Sequence, residues 1–202
     1  MSFSKLASEV FKRAVEDYHV VDNVDASCPN PYEIGSLEAQ LYNKCIVDIR
    51  QWHLEDIIRD PELPLADAIA VKRRIDSSNQ MRTDMVEDLD SYFQYRFRDV
   101  VPLENATLNT ESPAWAIDRL SILWLKLWHM REQSERKDAD AEHRKAALEK
   151  LEVLRRQRDD LSTAIDQLLD DIASGRKIMK VYRQMKLYND PSTNPALYGK
   201  KS

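Results

Sequence analysis

Glycine is scarce enough in this chain to limit how its backbone can turn. Three glycines, Gly35, Gly175 and Gly199, stand among 202 residues, where average usage would supply about 14. They lie too far apart to share a phosphate-cradling loop. That excludes a Walker loop and a dinucleotide fingerprint, both of which need clustered glycines for close backbone approach. Hairpin-rich β folds are disfavoured too, because their turns use glycine to reach positive φ. Apolar residues recurring every three or four positions predict helix instead. The expected fold class is all-α: a single-domain bundle over residues 1–202, with about six helices, two or three of them long and antiparallel. Residues 192–202 read as a C-terminal tail.

The spacing predicts a first helix from Ser4 to Tyr18, with Leu6, Val10, Phe11 and Val15 on one face. Pro29-Asn30-Pro31 breaks the loop that follows. Ser36 then caps a second helix reaching toward Asp60, which Pro61 and Pro64 end. A third is expected from Leu65 toward Asp99. Ser112-Pro113 is a strong helix start, and the fourth helix, Ala114 to Gln133, is apolar on nearly every side. Such a helix belongs at the centre of a bundle. The fifth, Asp138 to Ser174, carries a heptad-like seam of Ala147, Leu151, Leu154, Arg158, Leu161, Ile165, Leu168 and Ile172. Gly175 is its expected C-cap, in the left-handed region. A basic sixth helix is expected from Arg176 to Tyr188.

Composition bears on partners. Thirty Lys and Arg against 35 Asp and Glu give a formal charge of −5, which argues against nucleic acid, whose binding needs phosphate neutralisation. The C-terminal stretch is the exception: Arg176, Lys177, Lys180, Arg183, Lys186, Lys200 and Lys201 outnumber its one acid, Asp190. Glu9 and Lys12 interrupt any secretory signal. No uncharged apolar run reaches the roughly 18 residues of a membrane span. Cys28 and Cys45 lack metal or redox spacing and read as free thiols of a reducing compartment. The expectation is a soluble, cytoplasmic protein.

Function is best sought where the helical pattern is violated. On the second helix Leu41, Cys45, Ile49 and Trp52 form an apolar stripe that runs on into Asp56 and Arg59, flanked by His53 and Asp60. On the third, Arg82 interrupts the face of Val71, Ile75, Val86, Leu89 and Phe93, with Ser78 and Asn79 beside it. Asp118 and His129 lie in line with Ile122 and Leu125 on the fourth, and Arg158 occupies the fifth helix's seam. Buried charges cost several kcal/mol unless paired, so these groups should meet: Asp56 and Asp118 have the signs to neutralise Arg82 and Arg158. Either they form a structural salt-bridge network, or they line a polar pocket between helices.

A second set of acids, with Asp84 and Glu87-x-x-Asp90, follows one stripe of the third helix. Carboxylates one turn apart can hold a hard cation, Mg²⁺ or Mn²⁺, through oxygen ligands. With Glu55, Asp56 and Asp60 the set is similar to the acidic helices of all-α nucleoside-triphosphate pyrophosphatases, without their E-E-x-x-E element. The paired Glu-x-x-His motifs of di-iron bundles are missing, as is a Gly-x-Ser-x-Gly elbow.

Four longer strings carry a resemblance: Trp52 to Pro61 (WHLEDIIRDP), Lys72 to Asp84 (KRRIDSSNQMRTD), Asn109 to Leu123 (NTESPAWAIDRLSIL) and Tyr182 to Pro191 (YRQMKLYNDP). Together they resemble a bacterial, mainly Bacteroidetes, family of unknown function, number 4254 in that series. The resemblance implies a helical bacterial protein and carries over no activity, catalytic residue or cofactor.

Two functions follow as expectations. The first is a site for a small anionic or phosphorylated ligand within the bundle, assisted by a divalent metal. His53, Glu55 and Asp56 would be its catalytic groups, and Asp56, Asp84 and Glu87 its metal ligands. Arg59, Asn79, Arg82, Asp118, Arg119 and Arg183 would hold the ligand, since the guanidinium fork suits carboxylate and phosphate. The alternative is a non-catalytic scaffold, with the long fifth helix engaging a second copy or another protein and the polar cluster purely structural.

Overall fold

The computed structural model describes residues 1–185 and 192–199. Five long helices carry the fold: α1 (Phe3–His19), α2 (Leu37–Ile57), α3 (Leu65–Arg96), α4 (Pro113–Glu135) and α5 (Ala141–Ala173). A single helical turn, α6 (Pro195–Tyr198), follows. Their starts are set by local chemistry. Ser2, Ser36 and Asp140 each accept a backbone N–H of the first turn, from Lys5, Ala39 and His143, and Pro113 stands at the opening of α4. These interactions satisfy donors that a helix end otherwise leaves open. The first turn of α1 is also held from outside: Asp166 of α5 accepts the Ser4 N–H (2.9 Å) and hydroxyl (2.6 Å).

α4 packs against all four other long helices, and the α4–α5 hairpin makes the most extensive pairing. The core is continuous through Phe11, Val15, Leu41, Ile49, Leu89, Phe93, Ile117, Leu120 and Ile165. Ala147, Leu151, Ile165, Leu168 and Ile172 of the α5 seam are buried. Beyond its midpoint α4 is less enclosed: Ile122, Leu123, Trp124 and Trp128 stay half-buried. Clefts run along that part of the helix.

A separate apolar cluster, Leu54, Val71 and Ile75, closes the other end of the α2–α3 pair. Between the two clusters lies a polar layer in which Gln51 donates to Asn79 Oδ1 (2.7 Å) and Ser78 donates to Gln51 (3.3 Å).

One predicted element is corrected. The segment 176–185 is not helical, and residues 186–188 of the expected sixth helix lie outside the described residues. Gly175, at φ +73°, reverses the chain after α5, and the strand-like segment that follows spends its backbone bonds on the loop after α3. Leu103 N–H donates to Gly175 C=O (2.9 Å), Thr107 N–H to Arg176 C=O (3.0 Å), and Ile178 N–H to Thr107 C=O (3.0 Å). A helix there would forfeit these bonds. An added Cβ at Gly175 would also stand 2.8 Å from the Val101 carbonyl oxygen. Gly175→Ala is therefore expected to cost about 1–3 kcal/mol in urea unfolding, the range for a side chain forced into left-handed backbone, with the helical circular dichroism of the native state unchanged.

Candidate functional site

Four charged side chains meet at the centre of the bundle. On α2, Lys44 and Asp48 are one turn apart and pair with each other. Lys44 Nζ also reaches Asp118 Oδ1 of α4 at 2.7 Å. From α3, Arg82 donates through Nε (3.0 Å) and Nη2 (2.6 Å) to the two oxygens of Asp118, and its Nε lies 3.0 Å from Asp48 Oδ1. Ser121 of α4 donates to Asp48 Oδ2 at 2.6 Å. Two cations and two anions thus close a neutral ring across three helices. The Lys44 and Asp48 side chains are 1% and 0% exposed. Burial pushes the Asp48 carboxyl up, against the pull of Lys44. Burial also acts to raise Asp118, but Lys44 and Arg82 together outweigh it and hold that carboxyl below its usual range.

Arg82 and Asp118 are the two groups of this ring that the broken apolar stripes single out. Their expected partners do not join them. Asp56 is exposed and pairs with Arg59 at 3.0 Å. Arg158 pairs with its neighbour Asp159 and lies over the Trp124 ring. Lys44 and Asp48 take their places.

A second polar centre, of histidines, lies where α1, α2 and α4 meet. His19, His53 and His129 each bring a ring nitrogen within 4.8 Å of the others, the only group of three or more His, Cys, Asp or Glu among the described residues that is placed to hold a metal ion. Aromatic faces fix the rings: His19 stacks on Trp128, His53 on Tyr18 and His129 on Trp52. His19 Nδ1 bonds the Val15 carbonyl (2.7 Å) and His129 Nδ1 bonds Glu132 (2.9 Å). Both acceptors need a proton on Nδ1, which leaves each Nε2 with its lone pair. The Nε2 atoms of all three are buried without a hydrogen-bond partner. Burial lowers His19 and His53 from the ordinary histidine value and pushes the neighbouring Tyr18 hydroxyl up to about 12.

Three clefts share walls around α4. The first, about 700 Å³, is apolar and lies between α4 and α5, bordered by Trp52, His129, Met130, Val153 and Leu154, with Lys126 and Lys150 at its edge. The second, about 360 Å³, is lined by Glu55, Asp56, Arg59 and Arg82. The third, about 440 Å³, is lined by Arg82, Asp118, Arg119 and Lys126. Trp52 borders both the first and the second, Lys126 the first and the third, and Arg82 the second and the third.

The expected site residues therefore separate into groups. Glu55, Asp56, Arg59, Arg82, Asp118 and Arg119 border the adjoining clefts, and Arg119 pairs with Glu111 at 3.0 Å. Asn79 is in the polar layer with Gln51, and His53 is in the histidine cluster. Asp84 is exposed and bonded to Gln80. Glu87 faces Arg183 (3.9 Å) and the Gln184 N–H (3.1 Å). The trio Asp56, Asp84 and Glu87 does not assemble: Asp56 stands on α2, and the two α3 acids are engaged by different neighbours. The structure does not bring the expected oxygen-ligand set together.

The described residues form an all-α protein with a buried ion-pair ring and a histidine centre, and no helix among them is long and apolar enough to cross a membrane. The chain belongs to the family described as "Protein of unknown function (DUF4254)", which matches residues 38–181. No curated protein and no solved structure matches it. The matched span contains the whole ring together with His53 and His129, and His19 lies before it.

Sequence reasoning missed Lys44, Asp48 and the role of His19. Asp48 extends the stripe Leu41, Cys45, Trp52 in steps of four, three and four, but Lys and Asp four residues apart also describe a solvated face. A better signal exists for the histidines: three of the four follow an aromatic residue, as Tyr18-His19, Trp52-His53 and Trp128-His129.

The ring's balance is testable. Lys44→Met leaves two buried carboxylates on one guanidinium and is expected to cost about 3–5 kcal/mol, as for other broken buried pairs. Adding Asp48→Asn restores neutrality, so the double variant should recover most of that loss in urea unfolding.

Proposed function

We propose that the protein binds a small amphipathic anion in the adjoining clefts around α4. The observation that carries this reading is that Lys126 borders both the apolar first cleft and the third, where Arg119 also stands. Ligand sites combine apolar walls with a few convergent polar groups, in volumes of roughly 300–1,000 Å³. Met130, Val153 and Leu154 would pack on an apolar body, while Lys126 and Arg119 would meet its carboxylate or phosphate. Arg82 is committed to Asp118 and Asp48 and acts as a fixed wall. Glu55, Asp56 and Arg59, in the second cleft, complete a polar end suited to ligand hydroxyl or amide groups. The reading is one of binding, since its support is the pairing of apolar walls with cationic side chains and His53 faces the histidine cluster.

Leu148 and Val153, half exposed on α5, favour a second reading, in which a second copy of the chain or another protein covers this helix. Calorimetry with medium-chain fatty acids, aromatic carboxylates and alkyl phosphates separates the two. A ligand of this class should bind with 1:1 stoichiometry and change Trp52 fluorescence. Leu154→Trp, which fills the apolar cleft, should abolish binding, and Lys126→Glu should weaken it by about tenfold or more. Absence of binding across the panel, with a dimer in light scattering, would support the second reading.

A further inference from the structure

The histidine cluster calls for an explanation that packing does not supply. An unpaired polar group in a buried setting carries a desolvation cost of about 1–3 kcal/mol, and the Nε2 atoms of His19, His53 and His129 are all unpartnered on three rings that each bring a nitrogen within 4.8 Å of the others. They do not satisfy one another. On His19 and His129 the ring proton is committed to the Val15 carbonyl and to Glu132, so both present lone pairs. The nearest acid to His53 Nε2 is Asp22 Oδ1, at 3.6 Å, beyond hydrogen-bond range.

The same features match what a metal requires of imidazole. Ligating histidines are neutral and donate their second ring N–H to a carbonyl or carboxylate, which sets the tautomer and ring orientation. Val15 and Glu132 occupy those outer positions here. Stacking on Trp128, Tyr18 and Trp52 limits ring rotation and preorganises the set. Nitrogens bound to zinc at about 2.0–2.1 Å stand closer together than the 4.8 Å that bounds their present separation, so the ion would draw the three side chains inward with their rings still stacked. Asp22 has the one positive φ among the described non-glycine residues, +50°. That conformation turns the chain directly after α1 and brings its carboxylate beside His53.

We propose that His19, His53 and His129 bind one first-row divalent transition ion of the zinc class, with Asp22 or solvent as fourth ligand. All-nitrogen ligation by imidazole selects Zn²⁺, Co²⁺, Ni²⁺ or Cu²⁺ over the oxygen-preferring Mg²⁺ and Mn²⁺. The ion would tie the C-terminal end of α1 to α2 and α4. Because His129 also borders the apolar cleft, the ion would lie at the cleft wall. The assignment stands on the three histidines alone and is independent of any ligand in the clefts.

The test uses the full chain without a histidine tag, stripped with chelator and titrated with Zn²⁺ by calorimetry and with Co²⁺ by visible absorption. One equivalent should bind with a dissociation constant of about 1 µM or tighter, Co²⁺ should show the intense visible bands of four-coordinate geometry, and the melting temperature should rise with free metal. His53→Gln and His129→Gln should each weaken binding by about 100-fold or more. Glu132→Gln, which touches only the outer position, should weaken it by about tenfold. His143→Gln, at the fourth and exposed histidine, should change nothing. Circular dichroism of the metal-free variants verifies that each is folded. Two results would overturn the assignment: no stoichiometric Zn²⁺ or Co²⁺ binding by the wild-type chain, or binding that survives both cluster substitutions in folded protein.

Discussion

The neutral ring of Lys44, Asp48, Arg82 and Asp118 is the interaction on which the arrangement of α2, α3 and α4 depends. Every member holds at least two others, so a slip of any helix by one residue would strand a charge in the interior. Stranding costs several kcal/mol, far more than a slipped apolar contact, and the ring therefore specifies register more sharply than the apolar residues around it. Its contribution to net stability is smaller, because desolvating four charges offsets much of their mutual attraction. The fork of Arg82 on the two oxygens of Asp118 is its most directional element.

The ring also shapes what surrounds it. With Gln51, Ser78 and Asn79 it divides the α2–α3 pair into two apolar clusters. Arg82, partly open to solvent, forms the wall shared by the two polar clefts. α4 reaches the ring through Asp118 and Ser121, and from the next residue on it borders the clefts through Ile122 and Lys126. The histidine centre lies a further turn along, at His129. A single helix thus carries the structural ring, a wall of each cleft and the proposed metal ligand.

Much of the architecture was legible in the chain. Ser36, Ser112-Pro113 and Gly175 mark helix ends through capping and backbone geometry, and those effects act over a few residues. The α5 seam was readable because heptad spacing survives packing. The basic segment after Gly175 has residues compatible with helix, but its partner is the distant loop at Leu103 to Thr107. Arg82 and Asp118 were visible as charges on apolar faces. They meet each other, whereas Asp56 and Arg158, which stripe continuity places with them, pair elsewhere, because stripe continuity ignores where a helix leaves the core. Asp56, near the end of α2, has already reached solvent.

The sequence by itself determined the five long helices, the ends marked by Ser36, Pro113 and Gly175, and the fact that ionisable groups would have to meet inside. Helical periodicity and the cost of burying charge depend on neighbours close along the chain, and both can be read from one strand of text. Only the tertiary structure decided which charges meet and that three histidines from α1, α2 and α4 share one point. Lys44 and Asp118, or His19 and His129, stand more than seventy residues apart. Their proximity is set by how α4 crosses the other helices, a property of packing that no local pattern encodes.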